Sequence, residues 1–301
     1  MNDFSPVIGS WKPASMEPVL RAIDEVELAD AIAGSPSTRN ETVFANRRFL
    51  SRSWLHTAHA FGHIGIRSGD VSAPLPIRHA GDVAADPTLR GAAVTISLDR
   101  LRVADYPGRG GHHVLFTFRA DHHASDGEEV CHFSLAQRVR EGEQAAVLGY
   151  PIFTGLRVGG EGISFRCYTV NVKNDDDEAL IACLDSAMFQ RGLALGSVLH
   201  PAVGLLGEMS VGLTKALAQR RNNVPVQDFH LGLGFSGVST RAALAEGSYV
   251  AVQIPETDEL AWDWGEWRFY PATGQIAHRE DKTMLLPYNY IVLGVSRSAD
   301  G

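Results

Sequence analysis

Hydrophobic residues fall on every second position in a series of short runs from residue 94 onward. AVTISLDRLRV places Val94, Ile96 and Leu98 in one phase, HHVLFTFRA places Val114, Phe116 and Phe118, and VCHFSLAQRV places Cys131, Phe133 and Leu135. A period of two sends successive side chains to opposite faces, as in a strand with one face buried. GISFRCYTVNV is β-branched and aromatic, and the pattern returns in DFHLGLGFS, GSYVAVQIP, WGEWRFYP and NYIVLGVSR. Gly- and Asp-containing turns separate these runs, and PATGQ reads as a hairpin turn. Many short strands at close intervals predict a mainly β, antiparallel, sandwich-like domain.

Helical periodicity occurs in two places. SMEPVLRAIDEVELADAIAGS carries Met16, Val19, Leu20, Ile23 and Val26 at helical spacing, with Ser15 as the cap and Gly34 as the stop. Thr38 and Glu41 fit a capping box that opens a second, less regular helical stretch reaching His63. Residues 177 to 221 carry helix formers and read as a helical insertion in the β-rich part. Pro- and Gly-rich residues after position 71 read as loop. A boundary near residue 90 then divides a mixed helix and loop segment, 1–90, from the sandwich-like domain, 91–301.

Composition narrows the function classes. The chain has 301 residues, is 45% hydrophobic and 21% charged, and can bury a core without staples. Its net charge of −8 makes nucleic acid an unfavourable main partner. Three widely spaced cysteines, Cys131, Cys167 and Cys183, fit neither a disulfide framework nor a structural zinc site. The expected compartment is the reducing cytosol, and the start MNDFSPVIGSWKPASMEP lacks the basic-then-apolar pattern of a secretory leader.

Four groups of residues carry candidate chemistry. Asp175, Asp176, Asp177 and Glu178 stand between a strand-like and a helix-like run. Acids at a helix N-terminus complement its dipole, and that is the preferred reading. The other reading is a calcium site that also recruits Asp105, because carboxylates on loops between strands suit hard cations. LRVADYPGRGGHHVLF, around Asp105, resembles the calcium-binding loops of C2-type β-sandwiches but lacks their paired Asp-x-Asp spacing, so no membership follows.

Histidines form the second group. His56, His59 and His63 share one face if helical, and His112, His113 and His132 are candidate ligands for a transition metal in an enzyme. GLGFSG, 232–237, matches a dinucleotide fingerprint, but too little chain follows for the parallel units such a fold needs. The last group is AWDWGEWRFY, where Trp262, Trp264 and Trp267 are candidate partner-binding residues, since tryptophan is enriched at interface hot spots.

The expected function is a non-catalytic binding or scaffold protein with no cofactor beyond a possible divalent cation. Its partner is another protein or a second copy of itself. Two alternatives remain: an enzyme with a histidine-held metal, and calcium- or lipid-dependent membrane binding that uses the apolar residues 192–218.

Overall fold

The computed structural model describes residues 4–34, 52–66, 73–108, 110–124, 127–142, 144–145, 149–173, 177, 212–220, 222–235 and 242–298. Two helices, α1 (Pro13–Ala22) and α2 (Val26–Ala33), precede fifteen strands. In chain order these are β1 (Ala58–Gly65), β2 (Leu75–Pro76), β3 (Arg78–His79), β4 (Ala93–Arg102), β5 (Gly111–Ala124), β6 (Gly127–Arg140), β7 (Gln144–Ala145) and β8 (Tyr150–Arg157). They continue with β9 (Gly162–Val172), β10 (Val224–Gly234), β11 (Ala242–Ala243), β12 (Gly247–Ile254), β13 (Trp267–Tyr270), β14 (Gln275–His278) and β15 (Tyr290–Arg297).

The molecule is a mainly β, sandwich-like fold, as the alternating runs predict. Its seven-stranded sheet runs β3-β1-β12-β15-β4, with β7 and β8 both paired to β4. A five-stranded sheet runs β11-β10-β9-β5-β6. Nearly all pairings are antiparallel, the exception being β10 with β11. The inward phases of the two sheets, among them Phe61, Ile96, Leu98, Phe116, Phe118, Phe165, Cys167 and Leu293, form one continuous core.

Each sheet also has its outer face partly covered. Phe4, Val7 and helical residues 212–218 lie on the five-stranded sheet, against Leu115, Tyr168, Val170 and Val172. This second cover explains why β9 is buried on both faces through most of its length. On the seven-stranded sheet the cover is a third sheet, β14-β13-β2. It traps Trp264, Trp267, Ile276 and Leu286 against Ile64, Val250, Val252, Tyr290 and Val292.

Three expectations require correction. The N-terminal helix is two helices, because Asp24 adopts a left-handed backbone, φ 66°, that an α-helix cannot continue through. The break turns Glu25 inward, where its carboxylate accepts from Gly108 N at 3.1 Å. Next, the stretch holding His59 and His63 is strand β1, not helix, paired with β12 from Ala58↔Ile254 to Gly65↔Gly247. Tertiary pairing overrides a weak local helical pattern there. Finally, no division of the packing falls at residue 90, since β1 and β3 belong to the same sheet as β12, β15 and β4.

Of the expected helical insertion, Asp177 and residues 212–218 are helical, while 178–211 lie outside the described residues. Among the described residues no helix is long and apolar enough to cross a membrane.

Candidate functional site

The histidine candidates are not brought together. His112 is fully buried, with Nδ1 3.2 Å from Asn171 Nδ2 and its ring edge-on to Tyr106. His113, its neighbour on β5, faces the opposite side of the sheet. His132 stands across from Arg119, six positions along β5 from His113 and so roughly 20 Å away. One ion cannot be shared at that separation. His59 packs against Phe229 at 4.9 Å, and His63 stands edge-on to Tyr249 at 4.8 Å. Burial pushes the His59 and His112 imidazoles down to about 4, so both are neutral core residues. Among the described residues there is no group of three or more His, Cys, Asp or Glu able to hold a metal.

The two acidic candidates among the described residues, Asp105 and Asp177, are each engaged by an arginine. Asp177 is fully buried and binds Arg220, with Asn223 Nδ2 at 2.8 Å. Asp105 accepts from Arg52 Nη1 at 2.8 Å, and its backbone N–H and carbonyl both bond Asn289. Burial pushes the Asp105 carboxyl up to about 7; Arg52 opposes this and the Glu141 carboxyl adds to it. Asp105 and Asp177 each stand in an ion pair with an arginine, Arg52 and Arg220. Asp175 and Asp176 lie outside the described residues.

The aromatic cluster is divided by depth. Trp264 and Trp267, expected to bind a partner, are core residues only 3% and 9% exposed. Trp264 begins a 3-10 turn that Asp263 caps by accepting from Gly265 N at 2.7 Å. Its indole lies over Gly62 of β1, where a Cβ would come within 2.9 Å of Trp264 Cε2 and Cζ2. The absent side chain at Gly62 lets the third layer sit down on the large sheet.

Trp262 is the half-exposed member of the cluster. It stands 5.5 Å from Trp264, nearly perpendicular, 6.3 Å from Trp267, nearly parallel, and 5.7 Å from Tyr288. Three neighbouring rings therefore fix its orientation. Beside it opens a cleft of about 410 Å³, lined by Ile77, Arg78, His79, Asp82, Trp262, Asp263, Trp264 and Gly265. Edge strand β3 and its following turn supply one wall, and the turn before β13 supplies the other.

The loop leading into this cleft has its own chemistry. Residues 255–266, PETDELAWDWGE, hold five acids and no basic residue. Leu260 is 102% exposed at the middle of this stretch. The loop is anchored at its start, where Glu256 accepts from Thr57 N at 2.7 Å and Thr57 Oγ1 at 2.9 Å, and meets His56 Nδ1 at 3.1 Å. Partial burial raises the Glu256 carboxyl, but these hydrogen bonds outweigh it and hold the group down at about 2.

Sequence reasoning identified the aromatic cluster but not Leu260, Arg78, His79, Asp82 or Asp263. The signal within reach was the all-acidic loop around one leucine. The contribution of Arg78, His79 and Asp82 needed the fold, because they meet Trp262 only through packing of the third sheet. Compared with known protein families, characterised proteins and solved structures, the chain matches none.

Proposed function

We propose that the chain is a non-catalytic binding module that engages a protein partner through the 255–266 loop and the Trp262 cleft. The observation that carries this reading is the fully exposed Leu260 two residues from half-exposed Trp262, inside a stretch of five acids. An apolar side chain fully in water gains by burial, and an orientation-locked tryptophan can be buried at little entropic cost. Aromatic anchors of this kind dominate interface energies.

The charge pattern favours a basic partner over a second copy of the chain. A two-fold contact sets a surface against itself, so it would bring the ten carboxylates of two loops together against only the two Arg78 side chains of their clefts. A Lys- or Arg-bearing segment meets the same surface with attraction.

The test is site-specific photocrosslinking in producing cells. A photoreactive residue at Leu260 is expected to trap a discrete protein, whereas one at the exposed Val130 of β6 is not. Trp262→Ala in the same background removes the crosslink while leaving the circular dichroism unchanged, with affinity for the purified partner falling by about 2 kcal/mol or more. No discrete product at Leu260 would overturn the reading.

A further inference from the structure

We propose that the Trp262 cleft receives a single cationic side chain, an arginine or lysine, from an extended segment of the partner. This rests on the reading above and specifies what the cleft itself recognises.

The lining sets the sign of the ligand. Asp82 and Asp263 come from separate segments, one after β3 and one before β13, and face the same cleft. Against these two carboxylates stands one guanidinium, Arg78, so the Asp and Arg side chains of the lining sum to −2 + 1 = −1. Glu256, Asp258, Glu259 and Glu266 on the adjoining loop deepen the negative field. Asp82 is exposed and makes no hydrogen bond or ion pair among the described residues, and is thus available to a guanidinium or ammonium. Trp262 supplies an aromatic wall, and a cation beside an indole is attracted by the ring quadrupole.

The remaining polar groups point to a peptide rather than a free cation. The indole N–H groups of Trp262 and Trp264 are buried and have no acceptor, and Trp264 is only 3% exposed. Arg78 likewise has no carboxylate or carbonyl partner among the described residues. It stands on β3 opposite His63, at the edge of the large sheet. The buried indole N–H groups are out of a ligand's reach, but the exposed Arg78 guanidinium on the lining calls for acceptor atoms on the ligand. Peptide carbonyls flanking a cationic side chain meet that need, as a metal or simple amine does not. A neutral sugar also stacks on tryptophan but gains nothing from the net negative lining.

The experiment uses the full chain with ¹⁵N-labelled tryptophan and follows the indole N–H resonances. The probes are N-acetyl-arginine methylamide, N-acetyl-lysine methylamide, N-acetyl-glutamine methylamide and glucose. The arginine and lysine probes should shift the Trp262 and Trp264 signals, with Kd on the order of millimolar. That binding should weaken as salt is raised, and should fall about tenfold in the Asp82→Asn, Asp263→Asn double variant. Asparagine keeps the turn cap at 263, so unchanged indole shifts of the unliganded variant verify its fold.

Equal binding of the glutamine probe, binding of glucose instead, or no shift with either cation would each overturn the proposal. Failure with the small cations while Leu260 still crosslinks a protein removes this inference alone. Binding of the cations without any crosslink at Leu260 keeps the cation pocket and removes the broader reading.

Discussion

Three buried ionisable side chains set an acid response that can be worked out residue by residue. His59 and His112 have folded pKa values near 4, below the ordinary 6.5, so between these limits the unfolded chain binds two more protons there. Asp105 is raised from 3.8 to about 7, so across the same window the folded chain holds one more. The net excess on the unfolded side is 2 − 1 = 1 proton, and stability from these groups rises with pH by about 1.4 kcal/mol per unit between pH 4 and 6.5. Relative to the parent chain, Asp105→Asn should steepen that slope and His59→Gln should flatten it. Chemical denaturation across this pH range reads both, and parallel curves for all three proteins would contradict the assignment.

Gly62 offers a sharper test at the same scale. A Cβ there would meet Ile77 Cγ2 at 2.6 Å and the Trp264 ring at 2.9 Å. Gly62→Ala should cost about 1–3 kcal/mol, typical of overpacking, and should shift the Trp264 indole resonance. A variant as stable as the parent, with that resonance unmoved, would show that the third layer is not seated on this glycine.

Among elements, those with strong alternation were legible and those held by distant partners were not. The runs at 94–98, 114–118 and 131–135 became β4, β5 and β6, and PATGQ joins β13 to β14. Each owes its form to local pattern or turn chemistry. Strand β1 was missed because its sequence, AHAFGHIG, becomes a strand only by pairing with β12. The break between α1 and α2 was missed because nothing in IDEV forbids a helix. What decides it is Glu25 reaching Gly108 and the Arg52 guanidinium. The candidate site shows the same limit, since the sequence offered three tryptophans of equal standing and only packing separates them. Trp264→Ala and Trp267→Ala should each cost about 3–5 kcal/mol, as large core truncations do. Leu260→Ala should leave the melting temperature nearly unchanged and weaken partner capture. If all these variants melted alike, the division by depth would fail.

At the scale of the whole molecule, buried polar side chains link strands that apolar packing alone would leave free to slide. Gln253 of β12 donates to the carbonyls of His56 and Val226, at 2.6 and 3.2 Å, and accepts from Asn289. Asn289 in turn accepts from Ala104 N and Asp105 N. In the second sheet Gln227 donates to the Tyr106 hydroxyl at 2.7 Å, and that hydroxyl meets Thr169 Oγ1 at 3.1 Å. The sequence displays these residues only as polar interruptions in apolar runs. Their purpose needs the fold, because every partner is far away in the chain. Asn289→Ala leaves two backbone N–H groups and Gln253 without their partner, at a cost of about 1–3 kcal/mol. Thermal unfolding measures that loss, and an unchanged midpoint would show the network to be dispensable.

The order of strands in the large sheet also bears on how the chain is made. β1 pairs with β12, so Ala58 meets Ile254 across 254 − 58 = 196 positions, and β15 lies between β12 and β4. A nascent chain emerging from the ribosome holds β1 and β4 long before their partners β12 and β15 have been made. Contacts of such separation close slowly, and exposed strands in the meantime are prone to aggregate. The sheet can close only after synthesis has passed residue 297. Protection of these early strands therefore falls to whatever receives the growing chain during translation.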